Sequence, residues 1–197
     1  MGARLFTAVL PPSNVIEDLE RFCEPRRDAD DRLHWTRPQS WHLTMSFMAS
    51  VRESSVEPLM ENLGEVGART HPFSVRLGGA GAFGRPESAR VLWVGVDVGA
   101  ANLQILSDRS RTAGERAGIR VDGGRFVPHL TLARMRRPIE ATRWLRVLDA
   151  FQSEPWVSHE LVLMQSHLRD RGFRYEVIGR FPFTTPRDGS ISTFVGP

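Results

Sequence analysis

Two tripeptides in this 197-residue chain carry the same side chains in the same order, His42-Leu43-Thr44 and His129-Leu130-Thr131. With 6 His in the sequence, two accidental copies have a probability on the order of one in a thousand or less, the check a motif must pass. In a strand, residues i and i+2 share a face. Each motif therefore sets an imidazole beside a hydroxyl, with Leu43 and Met45, or Leu130 and Leu132, on the opposite face.

A single such His reads as a hydrogen-bonded residue near the core, but packing does not require two in register. Neutral imidazole accepts a proton near pH 7 and imidazolium donates one, so an opposed pair supplies base and acid to one displacement. The hydroxyls of Thr44 and Thr131 suit the non-bridging oxygens of a phosphate, and Arg134 offers a fork of donors as charge builds on phosphorus. Phosphoryl transfer needs mainly positioning and charge stabilisation. A metal site is disfavoured, because no carboxylate lies near either motif and no His-x-x-x-His or cysteine pair exists.

The elements that must position these groups alternate between strand and helix periods. Leu5 to Leu10 reads as a strand, and Asn14 with Glu17 as a capping box opening a helix that buries Val15, Ile16, Leu19, Phe22 and Cys23. A polar stretch, Glu24 to Ser40, leads to a strand at Trp41 to Met48. A helix follows from Ser54 or Ser55, burying Val56, Leu59, Met60, Leu63 and Val66, and then a strand on Phe73, Val75 and Leu77. Gly78 to Gly84 reads as a loop. Beyond it come a strand at Val91 to Val98, a helix at Ala100 to Ala117, a strand at Phe126 to Ala133 and a helix at Ile139 to Phe151. Strands at Trp156 to Gln165 and Phe173 to Phe181 complete the order, and Tyr175 is expected to pack within the last.

An offset of 87 residues superposes the two motifs, and with them Leu5 on Leu92, Phe6 on Trp93, Val9 on Val96, Ile16 on Leu103 and Leu19 on Leu106. The expectation is one α+β domain over residues 1–183, with an internal repeat at about 3–79 and 89–181. It would form two similar lobes related by a pseudo-twofold, each a mainly antiparallel sheet with helices outside, and a groove between them. Residues 184–197, rich in Gly, Ser, Thr and Pro, read as a loose tail.

Composition sets outer bounds. At 41% hydrophobic and 9% aromatic residues the chain can bury a sizeable core, which excludes collagen-like, coiled-coil and disordered classes. No apolar run reaches about 18 residues and no signal peptide is evident, so no membrane association is expected and a cytoplasmic location is. Cys23 is the only cysteine, consistent with a reducing compartment. All 26 basic residues are Arg, yet the net charge is only +3, too small to be a nucleic-acid footprint by itself.

With those residues in place the chain resembles the 2H phosphoesterases, and within them the RNA 2′,3′-cyclic phosphodiesterases, also called 2′-5′ RNA ligases. The likeness lies in Arg4-Leu5-Phe6-Thr7-Ala8, His34-Trp35-Thr36, Phe126 to Arg134 and Gly172 to Val177. It implies hydrolysis of a 2′,3′-cyclic phosphate at an RNA or nucleotide end to a 2′-phosphate; the expectation is a metal-independent monomer without cofactor or obligate protein partner. By position, His42 would protonate the departing ribose 3′ oxygen and His129 activate water; reverse ligation would exchange the roles. Thr44 and Thr131 would hold phosphate oxygens, Arg134 would contact phosphate and Phe47 would stack on a base. Phe47 and Arg134 each lie five residues after a His, which plain alternation puts on the wrong face unless a bulge intervenes or the strand ends. The chain departs from the family pattern at Met48-Ala49, where Leu-Gly is usual, and at His34, where Arg is frequent. The alternatives are a phosphodiesterase acting on another small cyclic or 2′-5′ phosphodiester, and a non-catalytic module that binds an RNA end.

Overall fold

A computed structural model describes residues 2–169 and 172–185. Its first half runs β1 (Ala3–Val9), α1 (Ser13–Cys23), β2 (His34–Trp35), β3 (Leu43–Val51), α2 (Val56–Ala68) and β4 (Phe73–Phe83). Its second half runs β5 (Ala89–Val98), α3 (Ala100–Arg116), β6 (His129–Ile139), α4 (Thr142–Leu148), β7 (Trp156–Ser158), β8 (Glu160–Arg169) and β9 (Gly172–Pro182).

The pairings are antiparallel and join the strands in the order β7-β4-β5-β6-β3-β1-β8-β9, with β2 also on β6. β6 and β3 meet at a single pair, Leu43 opposite Leu130, and both side chains are fully buried. This seam divides the sheet into two lobes, β3-β1-β8-β9 and β6-β5-β4-β7. The α+β class and the two-lobed plan agree with the sequence. The lobes are not the sequence halves, however: β4 leaves the first half to pair with β5, and β8 leaves the second to pair with β1.

One continuous core lies under the helices. Val15, Leu19 and Cys23 of α1, Leu59 and Leu63 of α2, and Leu103 and Leu106 of α3 pack with sheet residues Leu5, Val9, Leu92 and Val94. Burying such side chains stabilises by about 1.5–3 kcal/mol each, which is why the apolar stripes dictate the layering. On the other face of the first lobe a smaller cluster of Phe6, Ala8, Val162 and Met164 supports Phe47 and Tyr175.

Several boundaries differ from the sequence reading. α1 starts at Ser13 behind Pro12, and no side chain caps it, so Asn14 and Glu17 form no capping box. Pro12, with φ −71° and ψ 164°, ends the extended segment, and its carbonyl accepts the first helical bond from Ile16 N–H. Gly78 to Phe83 belong to β4 rather than to a loop. A register shift between Leu77 and Ala80 brings in Gly79 at φ +78°, and Gly81 lies against the Trp93 indole, where a Cβ would come within 2.1 Å of the ring. These glycines admit a bulge and a close approach. α4 is shorter than expected because Ile139 is still paired with Ala89 in the sheet. The expected strand at Trp156 to Gln165 is two strands, β7 on β4 and β8 on β1, so the chain crosses between lobes at His159. Thr184, at the start of the expected tail, bonds Thr70 O through its N–H and Ala68 O through its hydroxyl. Residues 186–197 lie outside the described residues.

Candidate active site

The two motif strands begin later than expected, at Leu43 and His129, because the backbone just before each serves a side chain. His42 Nδ1 lies 2.7 Å from the carbonyl oxygen of Ser40, and His129 Nδ1 lies 2.7 Å from that of Val127. A carbonyl oxygen only accepts, so Nδ1 carries the hydrogen in both rings and Nε2 is the nitrogen left for proton transfer. Continuing the Leu43–Leu130 register by one residue sets His42 across from Thr131 and Thr44 across from His129. All four side chains line one cavity of about 310 Å³ at the seam.

Phe47 and Arg134 line the same cavity, against plain alternation. In β3, Thr7 pairs Ser46 while Ala8 pairs Thr44, which makes Met45 an extra residue. In β6, Leu92 pairs Ala133 while Trp93 pairs Thr131, which makes Leu132 extra. Each bulge turns two successive residues toward the core, Met45 with Ser46 and Leu132 with Ala133, and so returns the fifth residue after the His to the groove face. Both bulges occupy the same motif position. The same pairings show that β1 and β5 correspond two residues out of step with the 87-residue overlay, since Ala8 and Trp93 are the partners of the two motif threonines.

Aromatic rings enclose the imidazoles. Phe6 and Tyr175 stand 4.8 and 5.2 Å from His42, and Phe83 and Trp93 stand 4.7 and 5.9 Å from His129. Arg4 lies over the Phe47 ring at 5.2 Å. Burial pushes His42 down from 6.5 to about 4; the Ser40 carbonyl partly offsets this, while His129 and Arg134 add to it. Burial likewise lowers His129, again opposed by its carbonyl partner and reinforced by Arg134. These directions have a consequence for stability. As pH falls below 6.5 the unfolded chain takes up protons that folded His42 refuses. Stability is therefore expected to be full above pH 6.5 and to fall between there and about 4. Thermal unfolding of parent and His42→Gln proteins across that window checks it: the variant should show the shallower decline.

A family model described as LigT-like phosphoesterase matches residues 9–93. An RNA 2′,3′-cyclic phosphodiesterase of Archaeoglobus fulgidus is 34% identical over 68% of this chain and 73% of its own length. The chain belongs to the LigT-like phosphoesterases. Another relative of that description, from Geobacillus stearothermophilus, is 30% identical over 97% of the chain, which spans only 60% of that longer protein. In fold, this LigT-like phosphoesterase matches a solved structure of TT0787 from Thermus thermophilus. The TM-score is 0.77 at 24% identity, covering 92% of this chain and 98% of the other.

The six residues expected from sequence at this LigT-like site, His42, Thr44, Phe47, His129, Thr131 and Arg134, converge in the one cavity. Its wall also includes Arg4, Phe6, Thr36, Ser40, Ser166 and Tyr175, none of which the motifs single out. Tyr175 lies on the groove face instead of packing only within its strand, because β8 and β9 extend the first lobe beside β1. Arg4 and Phe6 had a usable signal, their i, i+2 spacing on a strand whose alternate residues Leu5 and Val9 are core. Among the described residues, no group of three or more His, Cys, Asp or Glu is placed to hold a metal ion, and no helix is long and apolar enough to cross a membrane.

Proposed function

We propose that this chain opens 2′,3′-cyclic phosphates at RNA or nucleotide ends to 2′-phosphates, without a metal, as a cytoplasmic monomer that needs no protein partner. The observation that carries the reading is the matched pair of imidazoles. Each has Nδ1 tied to the carbonyl two residues back, and both line a cavity that also presents two threonine hydroxyls. The names of the relatives support the substrate.

In this mechanism the phosphate sits between Thr44 and Thr131, whose hydroxyls donate to its non-bridging oxygens. His129 Nε2 takes a proton from water as the water oxygen bonds to phosphorus. The bond from phosphorus to the ribose 3′ oxygen breaks, and His42 Nε2–H delivers a proton to that oxygen. Arg134 stabilises the charge gathered on the phosphoryl oxygens. Phe47, which lines the cavity with Arg4 over its ring, is the aromatic surface on which the base stacks.

The test is an assay on a short RNA ending in a 2′,3′-cyclic phosphate, in EDTA, with the terminal monophosphate identified. Turnover in EDTA to a 2′-phosphate supports the proposal. Loss of turnover in EDTA, or a 3′-phosphate product, contradicts it, and binding without turnover by folded protein favours an RNA-end-binding module.

A further inference from the structure

At each of the two bulges that turn Phe47 and Arg134 into the groove, the carbonyl of the extra residue lies within hydrogen-bond distance of a hydroxyl from a distant segment. In β3 the carbonyl of the extra residue, Met45, accepts from Ser107 Oγ of α3 at 2.6 Å, and Ser107 is fully buried. In β6 the carbonyl of the extra residue, Leu132, accepts from Thr36 N–H at 2.8 Å. The Thr36 hydroxyl lies 2.8 and 3.0 Å from the carbonyl oxygens of Thr131 and Leu132, and it accepts from Trp41 Nε1 at 2.8 Å. A buried carbonyl left without a donor is costly. Taking Ser107 Oγ from the Met45 carbonyl, or the Thr36 hydroxyl from the Thr131 carbonyl while Thr36 N–H still serves Leu132, therefore weakens the hold on the extra residue, and a slip of one residue moves every following side chain to the other face.

We propose that Thr36 and Ser107 are positioning residues of this site. Thr36 holds the β6 bulge and through it Arg134, and Ser107 holds the β3 bulge and through it Phe47. The holders are not repeat equivalents: an offset of 87 from Thr36 reaches Gly123, and from Ser107 it reaches back to Glu20. Each half of the chain instead supplies the donor that fixes the other half's bulge. The proposal rests on the reading above for the roles of Arg134 and Phe47, but its geometric part does not.

The test uses Thr36→Val and Ser107→Ala in the full chain, with Thr36→Ser and Ser107→Thr as rescuing variants. On a 2′,3′-cyclic RNA end, Thr36→Val is expected to lower kcat roughly tenfold or more, since misplaced groups forfeit orientation. Ser107→Ala is expected to raise KM about tenfold through lost base stacking, with kcat near parental. Thr36→Val should add little in an Arg134→Ala background, and Ser107→Ala little in a Phe47→Ala background. Parental kinetics in the folded variants, or losses that multiply fully in those backgrounds, would overturn the proposal. Amide hydrogen exchange reads the holders without turnover. Faster exchange confined to residues 45–48 in Ser107→Ala and to 131–134 in Thr36→Val supports them, and unchanged exchange overturns them. An inactive parent whose variants show this exchange pattern would sink the proposed reaction and leave the holders standing.

Discussion

Alanine at His42 or at His129 is expected to lower kcat on a 2′,3′-cyclic RNA end by about 10²–10⁴-fold, the range for loss of one positioned acid or base. Alanine at both should cost little more than the larger single loss, because in the proposed reaction the two imidazoles serve one concerted displacement and groups that act as a unit are not additive. A pH series separates the roles. The base must be neutral, so its limb falls as pH decreases; the acid must be protonated, so its limb falls as pH rises. Burial lowers both groups in the free protein, His42 to about 4. The bell in kcat/KM is accordingly expected to peak on the acid side of 6.5, the value from which both are lowered. The phosphodiester anion favours imidazolium, so the kcat bell should lie at higher pH. Each single variant should erase one limb. A profile that keeps both limbs in either variant would contradict the assignment of proton transfer to this pair.

The second large effect is expected at Arg134. In the proposed reaction, replacing it with alanine removes a charged donor to the phosphoryl oxygens, a loss of about 10²–10³-fold in kcat by comparison with single donors of oxyanion sites. Arg134→Lys should recover only part of this, since a point charge does not reproduce the planar fork. Steady-state kinetics on the cyclic substrate decide it. A rise in KM with kcat unchanged would make Arg134 a contact for ground-state binding only.

The meeting of the motif side chains in one cavity was legible because the motif was written twice. The His-x-Thr spacing places imidazole and hydroxyl on one face of any strand, and the repeat distance implies that two such faces meet. The apolar periods marked the core correctly at Leu19, Leu63, Leu103 and Leu130, all fully buried. A bulge has no comparable signature. The extra residues are Met45 and Leu132, apolar like their neighbours, and they become extra only through the register of strands distant in sequence. The two-residue slip between β1 and β5 was hidden for a related reason: a shift of two preserves alternation, so apolar positions coincide under either alignment. Gly78 to Gly84 shows the reverse error. Its composition reads as a turn, while the actual constraint is an indole from β5 lying on Gly81. Tyr175 was misplaced because its neighbourhood depends on β8 crossing to β1, a long-range pairing that local pattern does not encode.

The exchange of β4 and β8 between the halves also bears on how substrate enters and product leaves. Each lobe is completed by a strand whose polypeptide belongs to the other half, and the two walls of the cleft join through the Leu43–Leu130 pair. A hinge at the seam would have to part the buried Leu43–Leu130 pair and disturb the core that runs beneath both lobes, so swinging the walls apart works against packing. The spacing of the two imidazoles is thus tied to that seam, one residue away in either motif.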